Sequence, residues 1–171
     1  MKLFNESNKF SVRKMCFTAI LIALSVILSN VTIFSTISFD SMPAFIGGIL
    51  ISPVIGGIIG LIGHLATSLL KGFPFTIPIH ILIGFEMFVV VYITSIIYKR
   101  RKVLLAGITG ILLNGIVSTL ITGFFMKIFL GGTTPIGLLS LMGLPLTLAS
   151  FVNIVLAFII AKGVRNANIQ I

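Results

Sequence analysis

Between Lys14 and Lys99 the acidic, basic and imidazole side chains are Asp40, His64, Lys71, His80 and Glu86 alone, each beside or inside a run of apolar residues. A charge in hydrocarbon costs at least ~2.5–3.5 kcal/mol, so Glu86, two turns into its apolar run, is expected to face a cavity or a partner rather than lipid. Two imidazoles and a carboxylate suit zinc or a similar ion. The spacing argues against a metal: the histidines do not stand at the i, i+4 offset of an HExxH helix, and no cysteine lies nearby. A mixed acid, imidazole and amide lining is instead what orients a small solute among apolar walls. Asn114 and Asn153 supply the amides, and Phe34, Phe39, Phe45, Phe73, Phe75 and Phe124 or Phe125 are the aromatic residues expected to offer stacking surface, with Phe45 and Phe73 the two expected at the solute.

The chain contains no nucleophile elbow, phosphate loop or paired-carboxylate motif. Gly56, Gly57, Gly60 and Gly63 stand at helical spacing without the GK[ST] ending of a phosphate loop, and so predict a close helix-packing face. No enzyme activity, cofactor or resident metal is expected. Any uphill work must draw energy from another subunit or an ion gradient.

The elements that position these residues follow from the solvent. With 57% hydrophobic and 9% charged residues and a mean hydropathy of +1.25, the chain has too little polar surface to enclose itself in water, and its medium is the lipid bilayer. The net charge of +9 sits where apolar runs end, not over a face interleaved with aromatics, which excludes nucleic acid. Cys16 is the only cysteine and cannot form an internal disulfide.

The chain reads as one membrane domain over 1–171, an all-α integral membrane protein with spans near 14–34, 42–52, 54–70, 78–98, 103–126 and 145–162. The first run exceeds a signal-peptide core and has no clear cleavage site, so it is expected to be retained. The stretch 42–70 is too long for one upright crossing and short for two, and Ser52-Pro53 and Gly56-Gly57 interrupt it. Charge parity decides for two. Six crossings put Lys2, Lys9, Arg13, Lys14, the block Lys99 to Lys102, Lys162 and Arg165 on the cytoplasmic side with both termini, leaving only Lys71 and Lys127 outside. Asp40, His64, His80, Glu86 and Asn153 then gather in the outer half, with Asn114 as the floor.

The connection from Lys127 to Pro145 is apolar over 136–142, and is expected to be a lid, an interfacial helix or a packed re-entrant piece. Ala19 and Ala23 form an AxxxA seam whose small side chains let another helix approach closely.

Size, six spans, cytoplasmic ends and the AxxxA seam together resemble the substrate-binding S component of an energy-coupling factor (ECF) vitamin transporter. The resemblance implies that Ala19 and Ala23 dock a transmembrane coupling subunit, which works with two cytosolic ATPases in a bacterial plasma membrane. It implies a vitamin or precursor pocket near the outer face, closed by the loop Phe34 to Met42. The stretches Asp40-Ser41-Met42-Pro43-Ala44-Phe45, Gly63-His64-Leu65, Gly72-Phe73-Pro74 and Pro78-Ile79-His80 look most like members assigned to cobalamin precursors such as α-ribazole. The residues expected to touch the solute are Asp40, Phe45, His64, Phe73, His80, Glu86, Asn114 and Asn153. Two alternatives stand beside this reading: a membrane-embedded metal-dependent protein or enzyme using His64, His80 and Glu86, and a stand-alone ion-coupled carrier with Glu86 as its proton-linked site.

Overall fold

A computed structural model describes residues 12–34 and 37–168. The described chain forms six helices: α1 (Val12–Leu28), α2 (Met42–Leu50), α3 (Pro53–Leu70), α4 (Ile77–Lys99), α5 (Val103–Leu130) and α6 (Pro135–Asn166). Between α1 and α2 lies a short antiparallel pair, β1 (Thr32–Phe34) with β2 (Ile37–Ser38).

The first helix stops at Leu28 rather than running to Phe34. Ser29 and Asn30 turn their side chains back onto the Val26 carbonyl, at 2.7 and 3.3 Å, offering the backbone a local alternative to further helix. The β-branched Val31, Thr32 and Ile33 that follow favour extended chain. The stretch 42–70 divides at Ser52-Pro53: the Ser52 side chain accepts from the amide of Ile55 at 3.2 Å and Pro53 occupies the first helical position.

The apolar connection expected from Lys127 to Pro145 is instead mostly helix. Gly131, at φ 62°, ends α5 in the left-handed conformation. Thr134 then accepts from the amide of Gly137 at 3.1 Å and Pro135 starts α6 at once, which carries Pro145 in its interior. Proline removes one backbone donor there, and a 32-residue helix with an apolar surround absorbs the loss. Residues 136–142 are therefore the first turns of α6, and Leu138 and Met142 among them line the cavity between α3, α4, α5 and α6.

Among the described residues four helices, α3 to α6, are long and apolar enough to cross a membrane. α1 has 17 residues and α2 only 9, about 14 Å at 1.5 Å per residue. The outward faces of α1, α5 and α6 are apolar: Ile20, Leu104, Ile136 and Leu144 are all more than half exposed, as a lipid-facing surface requires.

Small residues set the helix spacing. A Cβ on Gly56 would strike the backbone of Gly48, and one on Gly63 would lie 2.9 Å from the Ser25 Cβ, so α3 seats against α2 and α1 only because these positions are glycine. The core formed around them joins Leu21, Phe45, Ile59, Val91 and Ile154 from five helices. At one end of the bundle, Lys99 donates to the Ile51 carbonyl at 3.2 Å and Arg165 to that of Ile49 at 3.0 Å, with Arg165 also over the Tyr98 ring. These cations satisfy the terminal carbonyls of α2.

One irregularity lies near the middle of α5, where Leu113–Val117 forms a π-helical turn. Gly115 within it lies directly against Thr147 of α6.

Candidate functional site

Between α3, α4, α5 and α6, with Ser38, Asp40 and Ser41 of the segment before α2 at its wall, lies a partly open cavity of about 160 Å³. Its lining includes Asp40, His64, His80, Glu86, Asn114 and Asn153, so residues separated by more than a hundred positions in the chain meet at one site. Phe45 and Phe73, also expected here, are not among its described lining residues. Phe45 is fully buried in the core, because α2 is apolar on every side and packs its aromatic ring inward. Phe73 follows the end of α3 at φ 50°, and its ring lies 5.7 Å from that of His80. Phe75 takes the lining position and stacks on His80 at 5.8 Å.

The histidines form one network with Ser68. His64 Nε2 lies 3.2 Å from His80 Nδ1, and the Ser68 hydroxyl lies 2.9 Å from the same Nδ1. The tautomers follow from the partners. The Phe75 amide donates to His80 Nε2 at 3.4 Å, which leaves Nδ1 to carry the proton; Ser68 in turn donates to the His64 carbonyl at 2.8 Å. Among the described residues no three His, Cys, Asp or Glu side chains are grouped to hold a metal ion.

Glu86 stands on α4 facing α5. Its Oε2 accepts from the Thr122 hydroxyl at 3.1 Å, Oε1 is buried without a well-aligned partner, and the Ser118 hydroxyl lies within reach of the carboxyl group as a second donor. Thr67 Oγ1, also on a lining residue, is likewise buried and unpaired. Ser38 Oγ is a third such atom on a lining residue, and buried polar atoms left unpaired are costly, so the three mark positions a bound molecule can satisfy.

Asn114 donates to the Ser150 hydroxyl at 2.8 Å, which joins the π-helical turn to α6. Asn153 has a different task. Its amide donates to the Ser38 carbonyl at 3.1 Å and accepts from the Met42 amide at 3.0 Å, tying both sides of the outer loop to α6.

That loop carries Asp40. Burial pushes its carboxyl up to about 6, against the opposing pull of Lys71. The Lys71 ammonium donates to the Ser29 carbonyl at 2.8 Å, linking the end of α3 to the end of α1.

Ser68, Ser118, Thr119, Thr122 and Ser150 complete the polar wall and were not singled out from sequence. A signal existed: Asn114, Ser118 and Thr122 recur every four residues through an otherwise apolar run, one polar stripe on a helix.

The model of the ECF transporter substrate-specific component matches residues 13–165, nearly the whole chain. The chain belongs to this family. S components of this kind are multi-pass membrane subunits rather than enzymes, and they deliver a small-molecule substrate to a transmembrane component and its ATPases. A search of curated proteins found no match. In this S component the docking seam expected on α1 is exposed: Ala19 and Ala23 face outward, while Leu21 and Ser25, about 200° around the helix, are buried.

Proposed function

We propose that this S component captures a vitamin or cofactor precursor, with α-ribazole or a related cobalamin precursor as the first candidate, in the cavity beneath the outer loop. The observation that carries the reading is the cavity itself: acid, imidazole, amide and hydroxyl groups converge on one partly open space, and Ser38 Oγ, Thr67 Oγ1 and Glu86 Oε1 lack well-aligned partners. Asp40, His64, His80, Glu86 and Asn114 contact the solute in this reading, and Asn153 holds the loop that covers it.

The proposed topology has six crossings, with α2 as a short, incomplete one completed by its flanking residues, and both termini in the cytoplasm of a bacterial cell. It is supported by Lys14, Lys99 and Arg165, which lie close to one another at one end of the bundle, as the positive-inside bias favours. In this reading the exposed Ala19 and Ala23 seat the coupling subunit, which is served by two cytosolic ATPases.

The test is mass spectrometry of small molecules released from protein purified in mild detergent. A vitamin-like compound at near one per chain, absent from Glu86→Ala, is the expected result. Release of nothing, together with no binding of added α-ribazole in calorimetry, would overturn the proposal.

A further inference from the structure

The basic end of the bundle is organised around the last carbonyls of α2. Lys99, closing α4, donates to the Ile51 carbonyl, and Arg165, in the last turn of α6, donates to that of Ile49. Two cations from different helices are thereby drawn to one short stretch of α2, and Lys14 of α1 acts on Lys99 from a third. The Arg165 guanidinium is fixed further by the Tyr98 ring, whose centroid lies 5.6 Å away and which packs on Phe158 at 4.6 Å. Each carbonyl takes one N–H, and both side chains keep further donors. The described acidic residues, Asp40 and Glu86, both line the cavity, and Glu86 stands about 20 Å along α4 from Lys99. Neither reaches this end to supply a counter-charge.

We propose that Lys99 and Arg165 form a headgroup site for an anionic phospholipid, its phosphate held between the two cations where α2, α4 and α6 end together. Both residues are exposed, so their remaining N–H groups are open to a ligand. A guanidinium held by a carbonyl and an aromatic ring is already placed for a phosphate, whereas a freely rotating surface cation must lose side-chain entropy to bind one. The flank of the site favours a lipid over a soluble phosphate. Ala106 of α5 packs in one cluster with Tyr98 and Ala161, which brings the start of α5 alongside. Val103, Leu104 and Leu105 there are exposed and apolar, a surface for acyl chains next to the headgroup. Basic pockets between membrane helices recognise acidic headgroups through this combination. The site is separate from the cavity, and the inference does not depend on what the cavity holds.

Native mass spectrometry of the protein in mild detergent, offered phosphatidylglycerol or phosphatidylcholine in equal amount, tests it. The phosphate of phosphatidylcholine is already balanced by a quaternary ammonium. Wild type should therefore retain one phosphatidylglycerol per chain, with a preference of roughly tenfold or more. Lys99→Gln with Arg165→Gln should bring that preference below about threefold. Arg100→Gln with Lys102→Gln removes the same charge from the same end, from side chains that make no hydrogen bond to α2, and should keep the preference within about twofold of wild type. Equal retention of the two lipids by wild type, a preference unchanged in Lys99→Gln with Arg165→Gln, or an equal loss in both double variants would each overturn the site, the last by leaving only diffuse attraction. If Lys99→Gln with Arg165→Gln does not fold, the wild-type preference and its survival in Arg100→Gln with Lys102→Gln decide. No retention of phosphatidylglycerol, with co-purification of the coupling subunit lost in Lys99→Gln, would overturn the proposal in favour of an acidic protein partner.

Discussion

His64 and His80, from adjacent antiparallel helices, meet with Nε2 of one 3.2 Å from Nδ1 of the other, and Ser68 bridges the contact. The network fixes the orientation of both rings at the cavity wall, and the Phe75 amide completes it.

His80→Ala would leave the Phe75 amide without its acceptor and the Ser68 hydroxyl with one partner fewer, and would open a gap between Phe73 and Phe75. A stability loss of about 2–3 kcal/mol is expected, read from denaturation in detergent. Nitrogen-15 NMR of labelled histidine should show His80 protonated on Nδ1 in wild type. A resonance pattern for the Nε2-protonated form would refute the assigned network.

Asn153 ties the outer loop to α6 through the Ser38 carbonyl and the Met42 amide. Asn153→Ala should cost about 2 kcal/mol and speed solute dissociation more than it slows association, because the loop loses its anchor while the rest of the cavity wall stays in place. Stopped-flow binding checks the split between the two rates.

Asp40 gives a pH dependence with a defined sign. Its carboxyl is raised from 3.8 to about 6 by burial, so between those values the folded chain holds a proton that the unfolded chain has released. Stability should therefore fall as pH rises through that interval. Thermal melts from pH 4 to 7 should show the decline in wild type and a flatter profile in Asp40→Asn.

The exposed seam on α1 predicts a separation of two activities. Ala19→Trp with Ala23→Trp should leave solute binding unchanged, since neither residue touches the cavity, while blocking co-purification with the coupling subunit. Normal assembly and uptake in the double variant would remove the docking role.

Gly56 and Gly48 bring α3 onto α2 with backbone against backbone. Gly56→Val should destabilise the chain by about 1–3 kcal/mol or more through overpacking, as the opposing surface has no side chain to move aside. Lowered yield and melting temperature would register it.

Much of this architecture was legible in the sequence for identifiable reasons. Ser52-Pro53 combines a capping side chain with a residue that starts helices, and the glycines from Gly56 to Gly63 have no side chain to serve any purpose but close approach. Charged and imidazole groups in an apolar chain must be gathered away from lipid, which is why Asp40, His64, His80 and Glu86 could be grouped without coordinates. Phe45 could not be placed, because a helix apolar on all sides does not reveal which face is inside. The hydroxyl wall was hidden by the ease with which serine and threonine sit in membrane helices, bonded to their own backbone as Thr119 is to Gly115. Pro145 suggested a boundary because proline disfavours helix interiors, and the apolar surround outweighed that preference.

The π-helical turn at Leu113–Val117 has a consequence for how this cavity can change over time. Such a turn accommodates one residue more than a regular helix would, and one residue corresponds to about 100° of rotation. Asn114, inside the turn, and Thr122, beyond it, therefore face the ligand space through a phase offset rather than through one unbroken register. Losing a single codon there would let a regular α-helix close over the turn, with Thr122 still facing Glu86 and only the residue presented at the turn itself exchanged. A lineage could in this way replace one group of its binding chamber in a single mutational step without turning the rest of the wall.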